Sequence, residues 1–234
     1  MIRAPQVQAI TFDAGGTLLF PHPDVGTIYA EILANYGCQL NPRELDQTFV
    51  HHWREAIVKP KKEISHAFEK EWWRKVVKAT LQSLQGPELN DEIFADLWEN
   101  FALPHRWRIR ENTHEVLAEL QHRGYLLGIL SNWDGRLRPL LRRLGLDRYF
   151  RDLFISAEIG YEKPDKEAFR SCEERFALPP QTFLHIGDSR KHDFDAAQKA
   201  GWQSLLLANN CTQFQNTEGL TDLRELLTML QKEP

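Results

Sequence analysis

Cysteine is scarce in this 234-residue chain: Cys38, Cys172 and Cys211 stand far apart. That spacing matches neither a disulfide framework nor a cysteine metal site, and it predicts free thiols in a reducing compartment. No apolar run approaches the ~18 residues of a membrane-spanning helix, so no membrane partner is expected. An excess of one charge is lacking too. Lys and Arg number 29 against 33 Asp and Glu, for a net charge of −4 with the signs interspersed. This excludes the basic footprint of a nucleic-acid partner. No internal repeat or low-complexity tract is visible. A strand pattern begins within a few residues of Met1, which leaves no room for a signal peptide and predicts a cytoplasmic protein.

What is present is a change of pattern along the chain. The length suits one good core with a small insert. Residues 7–12 are an apolar run that predicts a strand, and Pro21, His22 and Pro23 break the pattern. Over 24–36, Ile28, Ile32 and Leu33 recur at helical spacing, and Gly37 suits a helix stop. Pro42 opens a second helix, with Leu45, Phe49 and Trp53 four apart. A third carries Phe68, Trp72, Val76 and Trp73, Val77, Leu81; a fourth, over 91–101, carries Ile93, Phe94, Leu97, Trp98 and Phe101. Four amphipathic helices with no strand between them predict a small bundle. Most of the seven tryptophans lie on those apolar faces and are read as core. Trp133 is the exception, placed to line the entrance of a site. His51 and His52 are neighbours on a helix, where side chains point in different directions, so no metal pair is expected of them.

From about residue 109 strands alternate with helices. Helices are predicted over 112–123 (Asn112 or Thr113 as N-cap), 135–144, 166–176, 194–200 and 221–232, and strands over 125–130, 153–156, 182–186 and 203–207. Such alternation means a parallel sheet with right-handed crossovers. The near-continuous apolar strands predict a sheet covered on both faces. The expected fold class is α/β: a Rossmann-like parallel-sheet core of residues 1–21 and 106–234, with an α-helical cap of residues 22–105 inserted after the first strand.

Four segments carry the candidate chemistry. The run Ile10-Thr11-Phe12-Asp13-Ala14-Gly15-Gly16-Thr17 puts Asp13 at the carboxyl end of a parallel strand, where ligands of open α/β sheets bind. The strand over 126–130 ends in Ser131-Asn132; Gly160-Tyr161-Glu162-Lys163-Pro164-Asp165 carries a lysine; the strand before Gly187-Asp188-Ser189 is followed by Asp193. Each also has a plain structural reading. Asp13 can cap its turn, Ser131 and Asn132 suit a helix N-terminus, and Lys163 can be a surface lysine. Asp195 reads as a solvated helix residue.

Taken in order, these segments resemble the four motifs of the haloacid dehalogenase (HAD) superfamily. The resemblance covers residues 6–20 and 108–208 by motif, and the stretch between matches as an inserted cap. It implies Asp13 as a nucleophile, mostly on phosphate esters. Ser131 and Asn132, with Gly16 and Thr17, would hold the transferring phosphoryl group, and Lys163 would offset the charge of nucleophile and phosphate. It implies Mg2+ on Asp13, the Gly15 carbonyl and Asp188, with Asp193 ordering the metal shell or holding Lys163. Phosphoryl transfer is mostly positioning and charge neutralisation, and magnesium suits a few carboxylates plus water and substrate oxygens.

One position departs from the pattern. Phosphatases of this superfamily carry a second aspartate two residues after the nucleophile, as general acid and base; here that residue is Gly15. His22, Asp134 and Glu162 lie near the motifs as candidate replacements, though each reads more readily as structural. The haloacid dehalogenases also lack the acid, but they lack the metal-binding aspartate as well, so Asp188 argues against halide displacement. Phosphonoacetaldehyde hydrolases use a cap lysine; Lys59, Lys61 and Lys62 lie in the cap with nothing to mark one of them. The closer resemblance is to a branch of HAD-like hydrolase-domain proteins that shares the Trp72-Trp73 pair and the Ser131-to-Asp134 run. The expected function is a magnesium-dependent, phosphatase-type hydrolase acting on a small phosphorylated metabolite, as a monomer or weak homodimer. The alternatives are a catalytically impaired phosphate- or metal-binding protein, or a phosphonoacetaldehyde-hydrolase-like enzyme. An aspartate at position 15 fits only if Gly15 is not held at positive φ.

Overall fold

The computed structural model describes residues 6–56, 64–208 and 219–231. The chain forms two compact units, residues 1–20 with 109–234, and residues 21–108. In chain order, β1 (Ala9–Phe12) and β2 (Leu19–Pro21) precede α1 (Val25–Ala34), α2 (Pro42–Ala56), α3 (His66–Ser83) and α4 (Asp91–Asn100). Then come β3 (Trp107–Ile109), α5 (Thr113–His122), β4 (Leu126–Ser131), α6 (Leu137–Arg143), β5 (Asp152–Ile155), α7 (Ser156–Ile159) and α8 (Lys166–Phe176). β6 (Phe183–Gly187), α9 (Asp195–Lys199), β7 (Gln203–Leu207), β8 (Gly219–Leu220) and α10 (Glu225–Met229) complete the chain.

The first unit is built on a six-stranded parallel sheet of order β5-β4-β1-β6-β7-β8. This is the expected α/β, Rossmann-like architecture. β1 is buried along its whole length, as a central strand covered on both faces must be. Its Phe12 pairs with Ile129 of β4 on one side and Ile186 of β6 on the other. From β1 the strand order runs one way to β4 and β5 and the other way to β6, β7 and β8. The reversal opens a crevice at the carboxyl ends of β4, β1 and β6, the usual ligand position of such sheets. One side of the sheet is packed by Phe169, Phe183 and Trp202, the last two stacked with centroids 4.2 Å apart.

Three short features escape the periodicity analysis. β8 has only two residues, too few to show a period, and pairs in parallel with β7. β2 and β3, three residues each, form a separate pair where the chain leaves and re-enters the first unit. The terminal helix begins at Glu225 rather than 221, because the Glu225 carboxylate accepts from the Thr221 and Asp222 amides and closes a turn there. Likewise a π-helical turn over Arg190–Phe194 precedes α9. Asn112 stands at the N-cap position of α5, but in left-handed backbone and without a capping hydrogen bond.

The second unit packs α1 to α4 around Ile28, Leu33, Leu45, Phe94, Leu97 and their neighbours, with no strand among the described residues of 24–101. Asp24, Ser65 and Asn90 cap α1, α3 and α4 by accepting from Thr27, Phe68 and Ile93 amides. Trp73 stacks on Phe49, and the Trp72 indole donates to the Ala56 carbonyl. Trp53, Trp72, Trp73 and Trp98 are half-buried and pack against the apolar cluster from its edge rather than inside it, where the sequence pattern places them.

No helix of the described residues is long and apolar enough to cross a membrane. Cys38 and Cys172 are free thiols. Cys211 and the cap lysines 59, 61 and 62 lie outside the described residues.

Phe169 meets His185 and Trp202 edge-on inside the first unit. Phe169→Ala is expected to cost roughly 3–5 kcal/mol of unfolding free energy in a urea titration.

Candidate active site

The crevice gathers residues from three strand ends. Asp13 follows β1, and its amide extends the ladder by donating to the Ile186 carbonyl at 2.9 Å. Ser131 ends β4 and donates to Asp13 Oδ1 at 2.9 Å. Asp188 follows β6 directly. The loop after Asp13 folds tightly on itself: the Leu18 and Leu19 amides both donate to the Ala14 carbonyl. Two glycines permit this. Gly16 has φ +78°, and a Cβ there would sit 2.5 Å from Asp188 Oδ2; at Gly187 a Cβ would overlap the Asp193 carboxyl.

Lys163 is the electrostatic centre. Its side chain is 2 % exposed, and Nζ donates to Asp13 Oδ1 at 2.8 Å and to Asp193 Oδ1 at 2.5 Å. Burial alone would lower its pKa, but the two carboxylates hold it well above the ordinary lysine value. Burial would in turn raise Asp193, and Lys163 with His185 holds it well below the usual carboxylate range. Asn132 braces this lysine. Its side-chain amide donates to the Lys163 carbonyl and accepts from the Lys163 amide, both at 2.7 Å. The expected phosphoryl ligand is therefore occupied with holding the backbone that carries the charge. The Gly16 amide is likewise engaged, with the Leu19 carbonyl, and the Thr17 hydroxyl lies 3.3 Å from Asp13 Oδ2.

Two further residues support the site without standing out in the sequence. His185 of β6 is fully buried and bridges Thr11 Oγ1, 2.8 Å from Nδ1, to Asp193 Oδ1, 3.1 Å from Nε2. Burial pushes its pKa down. An ionised Asp193 can only accept, so Nε2 carries the proton and Nδ1 accepts from Thr11. Its only sequence signal is a polar residue inside an otherwise apolar strand. Arg110, just past β3, donates to the Thr17 carbonyl at 2.5 Å and the Gly16 carbonyl at 3.2 Å, and so pins the loop after Asp13. Nothing in the sequence marks it.

The candidate replacements for the missing acid are placed differently. Asp134 is buried and clamped by Arg136 through both oxygens, at 2.8 and 2.7 Å. Both of its oxygens are thus occupied by the guanidinium fork. His22 is exposed and belongs to the second unit, and Glu162 is half-buried. Gly15 itself has ordinary negative φ, so its backbone tolerates a side chain. The obstacle is Trp133, whose Cζ3 would lie 3.2 Å from an added Cβ. The indole is thus the nearest neighbour of any side chain introduced at position 15.

The donor set fits a hard divalent cation. Oxygens of Asp13, Asp188 and Asp193 lie within 4.8 Å of one another. One ammonium, Lys163, counters three carboxylates. Crowding by protein, and then the charges of Asp13 and Asp193, pushes Asp188 up to about 7, although the residue reaches solvent. All-oxygen donors with a surplus of negative charge are what magnesium takes. Asp193 is the least available of the three, since Lys163, His185 and the Ser189 amide already engage its oxygens.

Asp188→Asn removes a repelled carboxylate. With chelator present it is expected to stabilise the protein slightly, by about 0.5–1 kcal/mol, the scale of exposed charge pairs. In magnesium the sign should reverse, because binding at a hundredfold excess over Kd stabilises the wild type by about 2.7 kcal/mol. Thermal melts with EDTA and with magnesium check both signs.

A family model for haloacid dehalogenase-like hydrolases matches residues 7–201. Haloacid dehalogenase-like hydrolase domain-containing protein 3 of Mus musculus is 29% identical over 214 residues, 90% of this chain and 85% of that protein. Among solved structures, magnesium-bound YfnB of Bacillus subtilis superposes with TM-score 0.76 at 21% identity, over 96% of this chain and 98% of that one. A HAD phosphatase from Thermococcus onnurineus gives TM-score 0.67 at 22% identity, with the same coverage of both chains. With the family model spanning the strand ends that carry Asp13, Ser131 and Asp188 and the loop that carries Lys163, the chain belongs to the haloacid dehalogenase-like hydrolases.

Proposed function

We propose that this hydrolase removes a phosphoryl group from a small metabolite through an aspartyl-phosphate on Asp13, with turnover governed by the leaving group. The observation that carries the reading is the buried Lys163 ammonium held between Asp13 and Asp193. Two anions meet when a carboxylate approaches a phosphate, and a fixed positive charge between them lowers that cost. Asp13 would attack phosphorus, and the P–O bond to the leaving group would break with its electron pair going to the departing oxygen. Ser131 holds Asp13 in place. Water would then cleave the acyl phosphate and restore the carboxylate.

Magnesium would be held by Asp13 and Asp188, with the Gly15 carbonyl as third protein ligand, and would supply further neutralisation of phosphate charge. The magnesium-bound neighbour and the phosphatase neighbour support this choice at the level of fold. Asp188 favours phosphoryl over halide chemistry, since a metal ligand serves only the former.

No side chain stands at position 15 to protonate the departing oxygen. General acid–base catalysis is worth roughly 10²–10⁴ in rate. Acyl and nitrophenyl phosphates need little such help; alkyl phosphates need most of it. A second reading, a protein that binds phosphate and metal without turnover, is favoured by the Trp133 indole lying over Gly15. The phosphonoacetaldehyde alternative rests on lysines outside the described residues.

A phosphate-release assay over leaving groups of graded pKa tests the proposal. The expected result is magnesium-dependent turnover that falls steeply as the leaving group becomes more basic, and that Asp13→Asn abolishes. Flat dependence would mean that another acid serves. No release from acetyl or nitrophenyl phosphate would favour the binding protein.

Gly15→Asp alone is expected to gain little on alkyl phosphates, because the new side chain meets the indole. Gly15→Asp with Trp133→Ala should gain more, up to the ~10²–10⁴ range of the restored acid.

A further inference from the structure

The second unit holds a cluster that the catalytic reading does not use. On α2, His51 Nε2 lies 3.5 Å and His52 Nδ1 3.6 Å from the same oxygen, Glu55 Oε2. One potential ligand atom from each of the three side chains falls within 4.8 Å of the other two. Adjacent histidines on a helix are expected to point in different directions; here each has a ring nitrogen near the same Glu55 oxygen. Helical side chains lean over the turn toward the N-terminus. Glu55, one turn on, therefore reaches back between the two rings, and each ring offers a different nitrogen.

We propose that His51, His52 and Glu55 form a binding site for a borderline transition-metal dication of the zinc class. With metal–ligand bonds of about 2.0–2.1 Å, ligand atoms of a tetrahedral zinc site stand about 3.3–3.4 Å apart. The two histidine–glutamate separations come within a few tenths of an ångström of that edge. Two imidazoles and a carboxylate are a common zinc donor set, with water in the fourth position.

An independent observation points the same way. His52 Nε2 is 2.8 Å from Ser83 Oγ, on α3. A histidine that ligates through one nitrogen donates its other N–H to an outer partner, which fixes tautomer and ring orientation. In the tautomer with Ser83 accepting from Nε2, Nδ1, which lies 3.6 Å from Glu55 Oε2, is left free to ligate. Bound metal would thus tie α2 to α3 through His52 and Ser83. The donor set differs from that at Asp13, Asp188 and Asp193: nitrogen-containing here, all oxygen there. The two sites should therefore sort zinc from magnesium.

The test is calorimetric titration of the whole chain with zinc alone as probe, in excess magnesium and in an Asp188→Asn background that disables the carboxylate cluster. The expected result is one zinc per chain and a zinc-dependent rise in Tm. His51→Ala and His52→Ala should each weaken zinc by tenfold or more. Ser83→Ala removes no ligand, yet should weaken it 10–100-fold, as outer partners of metal-bound histidines do. Absence of binding at millimolar zinc would overturn the proposal, as would affinity unchanged in both histidine variants. Affinity unchanged in Ser83→Ala would overturn the outer-partner role of the serine. A cobalt(II) titration gives a second readout: a tetrahedral visible spectrum in the parent chain, lost in the double histidine variant.

Discussion

The Lys163 ammonium, buried between Asp13 and Asp193, is the interaction on which the rest of the site depends. Removing charges from water is expensive, and a buried ion pair holds only where extra hydrogen bonds satisfy the remaining donors and acceptors. Here they do. Ser131 shares Asp13, while His185 and the Ser189 amide share Asp193. Asn132 fixes the backbone of Lys163 from both sides. Ser131 and Asn132 come from the end of β4, His185 from within β6, Ser189 from the segment after β6, and Lys163 from the loop before α8. The charge cluster is thus a product of the sheet order, which makes β4, β1 and β6 neighbours.

Close approach is the second constraint. Asp193 reaches its partners because Gly187 has no side chain to block it, and Asp188 stands over Gly16 for the same reason. Thr11 and His185 extend the network into the sheet itself, where fully buried polar groups are tolerated because each is paired. Arg110 closes it from outside by holding the carbonyls of Gly16 and Thr17. The loop that carries Asp13 is therefore fixed by hydrogen bonds to its own backbone and to a guanidinium. Such preorganisation lets charge do its work without moving at the moment of reaction.

Gly15 and Trp133 belong together. The glycine has ordinary backbone geometry, so conformation does not demand it. Space is the tighter condition: an added Cβ would lie 3.2 Å from the indole, which would have to give by a few tenths of an ångström. The loss of the acid is matched by an aromatic ring over its place. This pairing is compatible with chemistry that needs no strong acid, or with binding in place of turnover.

Much of this was legible in the chain. Apolar runs ending in Asp13, Ser131 and the Gly187-Asp188 pair mark strand ends, because period and composition are local properties. The helices of residues 24–101 were equally plain, since their apolar faces recur every three or four residues. Lys163 was identified as the counter-charge, because its neighbours in sequence form a motif. Short pairings such as β8, and β2 with β3, were not legible, since two or three residues show no period. Nor were the jobs of Asn132, His185 and Arg110, whose partners lie 31, 8 and about 93 residues away in sequence. The same holds for Trp133 over Gly15, and for His51 and His52 converging on one Glu55 oxygen. Sequence by itself determined which residues could carry charge and where strands end. Tertiary structure decided which of those charges meet, because distance between side chains depends on folded backbone and not on their spacing along the chain.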